Sequence, residues 1–296
     1  MRIVTILSIV IIAVASAFYF YMKTSEEKDD TNIKKPAYDV IGRSVENREI
    51  QAHRFGGPST RLGVNGNKKL VLVGAIHGGY EWNTAVLAYE FIDYFTANQN
   101  TIPSDTEVVV IPVANPDGLY KVVWTSERFN AEDAPQFNYS GEVDPYGPVA
   151  AGRFNANGVD LNRNFDCNWK SEAKWENRPV DAGTAPFSEP EAQALRDFFL
   201  AESPEAVIFF HSAGGGVYTS SCEEGILPST ARLLEAYNSV ASYPESGAYT
   251  DYEVTGDAGD WISMLGIPAI TVELSTHSAI EFEKNLAGVK AVLIGL

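Results

Sequence analysis

A histidine and a glutamate stand close together where an apolar run gives way to a helical pattern. The run Leu70–Val73 leads into HGGYE, in which His77 and Glu81 are separated by three residues. A second histidine, His211, directly follows the apolar run Ala206–Phe210. Two histidines and one glutamate are a recurring ligand set of catalytic zinc, which leaves a further position open for water or substrate.

Two more apolar runs lead into polar residues. Val108–Pro112 precedes Asn115 and Asp117, and Ala269–Val272 precedes Glu273. Ligands of open α/β sheets bind beyond the carboxyl ends of the strands, so we expect these side chains to converge with the histidines. A carboxylate outside the ligand set can take a proton from the attacking water, and Glu273 is the candidate for that role.

The elements that position these residues alternate between strands and helices. Buried strands are predicted at Leu70–Val73, Val108–Pro112, Ala206–Phe210 and Ala269–Val272, and helices at Thr84–Ala97, Glu189–Ala201, Ser229–Tyr243 and Asp257–Leu265. This alternation predicts an α/β protein with a single mixed, mostly buried β-sheet flanked by helices on both faces. Residues 120–185 are rich in Asn, Gly, Pro and aromatic residues, and such long irregular segments usually carry function.

Charge excludes one large class of partners. The chain of 296 residues has a formal net charge of −17, with a pI of about 4.6. Nucleic acids require a basic surface, so no nucleic-acid partner is expected.

The first residues predict export. Ile3–Met22 carries no charge and is about as long as a bilayer-spanning helix, ~20 residues. Residues 1–22 are therefore interpreted as an N-terminal membrane anchor facing outside the cytoplasm, or as a signal peptide cleaved after Ala17. Residues 23–40 are predicted to be a tether, and residues 41–296 the catalytic domain.

The chain contains two cysteines. Cys167 follows NRNF and Cys222 follows HSAGGG, so a disulfide would tie two site-forming loops together. Export makes this disulfide plausible, and two buried free thiols are the alternative.

Taken in order, the motifs resemble those of zinc carboxypeptidases of the carboxypeptidase A type. They are the His77–Glu81 pair, NPDG, NANGVDLNRNF, FHS and TVELS, and the resemblance extends over about residues 40–296. It implies the short bacterial form without a pro-domain. It also implies that His77, Glu81 and His211 hold one zinc ion per chain and that Glu273 is the general base.

The resemblance also assigns the residues that bind substrate. Asn162 and Arg163 match the pair that binds the free C-terminal carboxylate of a peptide, which suits the planar fork of a guanidinium. Tyr252 matches the mobile tyrosine that covers the bound residue. Arg153 is favoured over Arg128 as the arginine that stabilises the oxyanion.

Two positions leave alternatives open. The family pattern has two residues between His and Glu, whereas HGGYE has three; two glycines can absorb the extra residue, and an altered or inactive site is the alternative. Asp257 lies in the segment that sets specificity in the family. It would favour a basic or diaminopimelate-like C-terminal residue, or else it caps the following helix.

The sequence thus predicts an exported zinc carboxypeptidase that hydrolyses the C-terminal peptide bond of peptides. A zinc amidohydrolase acting on N-acyl amino acids would keep the metal site but lack the clamp formed by Asn162, Arg163 and Tyr252. An inactive binding homologue would have lost a ligand or Glu273.

Overall fold

The computed structural model describes residues 38–57, 68–136 and 149–296. The predicted anchor or signal peptide, and most of the predicted tether, lie outside the described residues. Within the described ranges, no helix is both long and apolar enough to span a membrane.

The described residues form ten strands and six α-helices. The strands are β1 Asp39–Arg43, β2 Glu49–Gly56, β3 Lys68–Val73, β4 Thr106–Ile111, β5 Glu172–Trp175, β6 Arg178–Asp181, β7 Ala206–Ser212, β8 Gly216–Thr219, β9 Glu245–Ala248 and β10 Ala269–Leu274. The helices are α1 Trp82–Ala97, α2 Pro116–Val123, α3 Pro190–Glu202, α4 Pro228–Ala241, α5 Ala258–Met264 and α6 Phe282–Gly295.

In the described part of the chain, eight strands form one mixed sheet in the order β1-β2-β4-β3-β7-β10-β8-β9. The central strands β4, β3, β7 and β10 run parallel to one another, and β2 and β8 join them antiparallel. Strands β5 and β6 form a separate hairpin. All four strands predicted from the sequence are central strands of this sheet.

The sheet is covered on both faces because side chains of a strand alternate between them. Leu70 and Leu72 of β3 pack with α1, α4 and α6, whereas Val71 and Val73 pack with α3 and α5. This confirms the predicted fold class and explains why the central strands are apolar on both sides. Their carboxyl ends meet at one edge, where the site lies.

Candidate active site

His77, Glu81 and His211 meet at the carboxyl edge of the sheet. His77 follows β3, and the turn Gly78–Glu81 is a single 3-10 turn that brings Glu81 back beside it. His211 lies near the end of β7. One candidate ligand atom from each of the three buried side chains lies within 4.8 Å of the others. The structure therefore brings the predicted metal ligands together.

The extra residue in HGGYE is accommodated by backbone conformation. Gly78 has a φ of +47°, and a Cβ atom there would lie 2.6 Å from the carbonyl oxygen of Gly152. Only glycine fits this close approach. The longer spacing therefore leaves Glu81 in the cluster.

One atom of the cluster calls for a ligand. Glu81 Oε2 is buried without an aligned hydrogen bond among the described residues, and His77 Nδ1, also without one, lies 3.5 Å from Asp160 Oδ1. His211 Nδ1 lies 3.1 Å from Glu81 Oε2. This is close enough for an ion pair, but the two groups are not aligned for a hydrogen bond. Buried polar atoms are rarely left without partners, and two imidazoles with one carboxylate suit zinc. The donor set therefore fits the metal.

Burial and charge act oppositely on the two histidines. Burial is the larger cause, and the charge of the Arg153 guanidinium the next, that lowers the pKa of His77 well below its usual value. Burial also acts to lower the pKa of His211, but the Glu81 carboxylate outweighs it, and that pKa rises to about 9 in the metal-free protein. His77 is thus neutral and ready to ligate, whereas a metal would displace a proton from His211.

Glu273 lies beside the metal cluster. Strand β10 pairs with β7 so that Glu273 is in register with His211, and the two side chains share one edge of the sheet. The backbone N–H of Gly214 donates to Glu273 Oε2 at 3.1 Å. Burial raises the pKa of Glu273 to about 7, which suits a group that takes and returns a proton near neutral pH.

Arg153 is buried beside the same cluster, at the end of the turn Ala150–Arg153. Its Nε donates to Asp160 Oδ2 at 2.8 Å, and its guanidinium lies 4.5 Å from the ring centre of Trp175. Arg128 instead lies on the exposed surface, where it pairs with Asp93. Of the two arginines, the structure places Arg153 in the site.

Asn162 and Arg163 lie in the 3-10 turn Leu161–Arg163. Arg163 Nε donates to the carbonyl oxygen of Lys174 at 2.9 Å, and Nη2 lies 3.5 Å from the hydroxyl of Tyr252, to which it donates. The predicted clamp residues are therefore assembled, with the tyrosine resting against the guanidinium.

Asp257 caps the following helix and also contacts the clamp. Its Oδ1 accepts from the backbone N–H of Asp260 at 2.9 Å and so caps α5, and its Oδ2 accepts from Asn162 Nδ2 at 2.6 Å. Asp260 accepts from the backbone N–H of Ser221 at 2.7 Å. Burial, and then the charge of Asp257, raises the pKa of Asp260 to about 8.

The metal cluster, Glu273, Arg153 and the clamp residues line one cavity of about 490 Å³. Its walls include nine of the predicted residues: His77, Glu81, Arg153, Asn162, Arg163, His211, Tyr252, Asp257 and Glu273. Further acidic side chains, Glu176, Asp251, Glu253 and Asp260, also line it. Carboxylates therefore outnumber the two arginines around the cavity.

One predicted convergence is wrong. Asn115 and Asp117 follow their strand as expected but do not line the cavity. Asp117 is buried and accepts from Ser44 Oγ at 2.6 Å, and it also pairs with Arg48. These contacts bind the β1–β2 connection to α2.

Some residues of the site were missed. Asp160 and Trp175 hold Arg153, Asp260 shares the cavity with Asp257, and Tyr80 of HGGYE forms part of the wall. Asp160 stands two residues before Asn162 in DLNR, and a carboxylate so close to the clamp could have drawn attention. Nothing in the sequence around Trp175 points to Arg153.

Comparison with known proteins identifies the family. A family model described as zinc carboxypeptidase matches residues 26–286. The chain belongs to the zinc carboxypeptidase family. Members of this family are zinc-dependent hydrolases, which agrees with the His77, Glu81 and His211 cluster.

Curated relatives cover most of this chain. It is 28% identical over 238 residues to γ-D-glutamyl-L-diamino acid endopeptidase 1 of Lysinibacillus sphaericus, covering 72% of this chain and 56% of that protein. It is 25% identical over 267 residues to carboxypeptidase B of Helicoverpa zea, covering 81% and 58%, respectively. The chain thus spans less than two thirds of the length of these relatives.

A solved structure confirms the fold. The murein-tripeptide amidase of Escherichia coli O157 superposes with a TM-score of 0.57 at 24% identity, covering 88% of this chain and 92% of that one.

Proposed function

We propose that this chain is a zinc carboxypeptidase that removes the C-terminal residue of peptides with a free α-carboxylate. One observation supports this most directly: the metal cluster, Glu273, Arg153 and the Asn162–Arg163 clamp line one cavity. An amidohydrolase would need no clamp, and an inactive homologue would need no complete set of ligands.

Substrate is held at its carboxyl end. The Arg163 guanidinium is buried, and its Nη2 faces the Tyr252 hydroxyl at 3.5 Å. A substrate carboxylate that takes the place of the Tyr252 hydroxyl would accept from Arg163, with Asn162 and the displaced Tyr252 donating beside it. Holding the terminal carboxylate brings the last peptide bond to the metal cluster and so limits cleavage to the chain end.

Proton transfer falls to Glu273. With its pKa raised to about 7, the carboxylate takes a proton from the attacking water and returns it to the departing amine. Arg153 donates to the negative charge that develops on the carbonyl oxygen. His77, Glu81 and His211 would hold one zinc per chain, which when bound polarises the carbonyl and acidifies water.

We also propose a preference for a cationic C-terminal side chain. Asp257 and Asp260 both line the cavity, and Asp257 accepts from Asn162 of the clamp; burial, and then the charge of Asp257, raises the pKa of Asp260. The ammonium group of Lys or diaminopimelate, or the guanidinium of Arg, would compensate these carboxylates. The name of the Lysinibacillus relative, which specifies a diamino acid, agrees with this preference.

Export is the final part of the proposal, with residues 1–22 as an anchor in the membrane or as a cleaved signal peptide. It is supported by the uncharged run Ile3–Met22 and by the disulfide between Cys167 and Cys222, which is favoured in oxidising compartments.

The test is C-terminal release by the zinc-loaded chain. Peptides ending in Lys, Arg, diaminopimelate, Phe, Leu or Glu are compared, together with a γ-D-glutamyl-diaminopimelate substrate. We expect about one bound zinc per chain and fastest release of cationic residues. Glu273→Gln should retain zinc and lose roughly 10²- to 10⁴-fold in kcat, while exposed Glu235→Gln should have no effect.

Other results would change the proposal. Cleavage confined to the γ-D-glutamyl bond would favour the diamino-acid endopeptidase activity that the Lysinibacillus relative is named for. Zinc without any cleavage would refute the carboxypeptidase assignment for these substrates. Equal rates for all endings would refute a role of Asp257 and Asp260 in specificity.

A further inference from the structure

Lys121 is a half-buried lysine that the reaction described above does not use. Its ammonium donates to the carbonyl oxygen of Phe154 at 2.9 Å and to that of Asn155 at 2.6 Å. Burial lowers its pKa. A lysine normally keeps its charge in water, so this placement costs free energy that the two bonds to the loop offset. The two carbonyls directly follow Arg153.

Asn115 completes the row of contacts. Its Nδ2 donates to the carbonyl oxygen of Arg153 at 3.2 Å, and its Oδ1 accepts from the backbone N–H of Gly118 at 2.8 Å, capping α2. The carbonyls of three consecutive residues, 153 to 155, are thus each bonded to a side chain from the same short helix or its cap.

The backbones of α2 and the loop are also in direct contact. A Cβ atom on Gly118 would lie 2.5 Å from the carbonyl oxygen of Gly152, one residue before Arg153. A Cβ atom on Gly78 would lie 2.7 Å from the backbone nitrogen of Leu119 in α2. Helix α2 therefore supports both the turn that follows His77 and the turn that ends at Arg153.

We propose that Lys121 is a positioning residue, which fixes the backbone of the Arg153 loop on α2 and so holds the guanidinium at the reacting carbonyl. This inference rests on the proposed role of Arg153 as the oxyanion donor. Asp160 fixes Arg153 at Nε, 2.8 Å away, Asn115 holds its carbonyl, and Lys121 holds the carbonyls of the two residues that follow. With both ends held, the guanidinium needs no rearrangement as charge develops. Asn115 of the NPDG motif and Lys121, three residues after the motif, thus both support the Arg153 loop.

The experiment compares Lys121→Met, Lys121→Arg and Lys290→Met in the full zinc-loaded chain. Lys290 is a matched control because it lies on α6 outside the cavity, over the ring of Tyr94. For Lys121→Met we expect kcat to fall about tenfold with KM within about twofold, below the ~100-fold that a 1 Å misplacement costs. Zinc content should not change. Lys121→Arg keeps its N–H donors and should restore most of the activity, and Lys290→Met should match the native chain.

A double-mutant cycle separates positioning from general damage. In an Arg153→Ala background, Lys121→Met should change kcat by less than about twofold, because the group it positions is gone. An equal loss in both backgrounds, or a native kcat for Lys121→Met, would overturn the inference. If Arg153→Ala itself keeps native kcat, the proposed role of Arg153 fails and the inference fails with it. Should Lys121→Met not fold, Lys121→Gln, which retains an amide donor, takes its place in the cycle.

Discussion

Asp160 is the buried carboxylate on which several parts of the site depend. It is fully buried, and its Oδ2 accepts from Arg153 Nε at 2.8 Å. Its Oδ1 accepts from the backbone N–H of Asn162 at 3.1 Å and lies 3.5 Å from His77 Nδ1. One side chain thus lies beside a candidate metal ligand and bonds to the proposed oxyanion arginine and to the backbone of the proposed clamp. We predict that Asp160→Asn weakens both folding and metal binding.

The size of the effect follows from the charges. Asparagine has nearly the same shape but is neutral, so the buried Arg153 guanidinium loses its counter-charge. Breaking a buried pair by changing one partner costs about 3–5 kcal/mol, and we expect the lower end because the amide oxygen still accepts a hydrogen bond. Changing a group that orients a metal-ligating histidine typically weakens metal affinity about 10- to 100-fold.

Two assays separate these effects. Urea unfolding of the metal-free protein measures the change in the free energy of unfolding, and competition with a chromophoric chelator measures zinc affinity. Asp166→Asn, the same substitution at an exposed position six residues later, is the control and should change stability by less than about 0.5 kcal/mol. If Asp160→Asn matched this control in both assays, the reasoning about its three contacts would be refuted.

Two further predictions concern stability. Cys167 and Cys222 form the predicted disulfide across 55 residues, and the chain-entropy relation gives about 4 kcal/mol for such a loop. The double Ser variant should therefore unfold at a clearly lower urea concentration, and an unchanged midpoint would contradict this. Because the pKa of Asp260 is raised to about 8 by burial and by Asp257, the folded chain keeps a proton that the unfolded chain releases near pH 4. The stabilisation from that proton is greatest below pH 4 and is lost as pH rises toward 8. Asp260→Asn should therefore flatten the decline in the free energy of unfolding between pH 5 and 8. An unchanged dependence of that free energy on pH would contradict this prediction.

The central strands could be predicted because burial on both faces leaves them uniformly apolar. Helix α6, Phe282–Gly295, was not predicted. Its N-cap residue, Glu281, makes no side-chain cap, and Gly288 interrupts the pattern, so local start and propensity features are weak. Packing against the sheet specifies this helix, because Leu286 and Val289 lie in the core beside the central strands. A single sequence does not display such tertiary contacts.

The site, like the fold, could be predicted from the sequence only in part. His77, His211 and Glu273 could be predicted to meet because the ends of parallel strands share an edge, a rule that needs only strand positions. The same rule failed for Asp117, because it places a residue near an edge without fixing where its side chain points. Trp175 lies on the separate hairpin, and only the folded chain brings it to Arg153.

The inserted residue of HGGYE shows what spacing alone can and cannot predict. Counting residues between His77 and Glu81 gives the length of the connection but not its path. In the structure the path is a 3-10 turn, and Tyr80 is turned into the cavity wall, with its ring centre 4.7 Å from Trp175 and 4.4 Å from His277. The longer connection therefore places Tyr80 on the cavity surface while the metal cluster keeps its three members. Its effect should appear in the choice of peptide rather than in zinc binding, because Tyr80 lines the cavity and is not part of the ligand set.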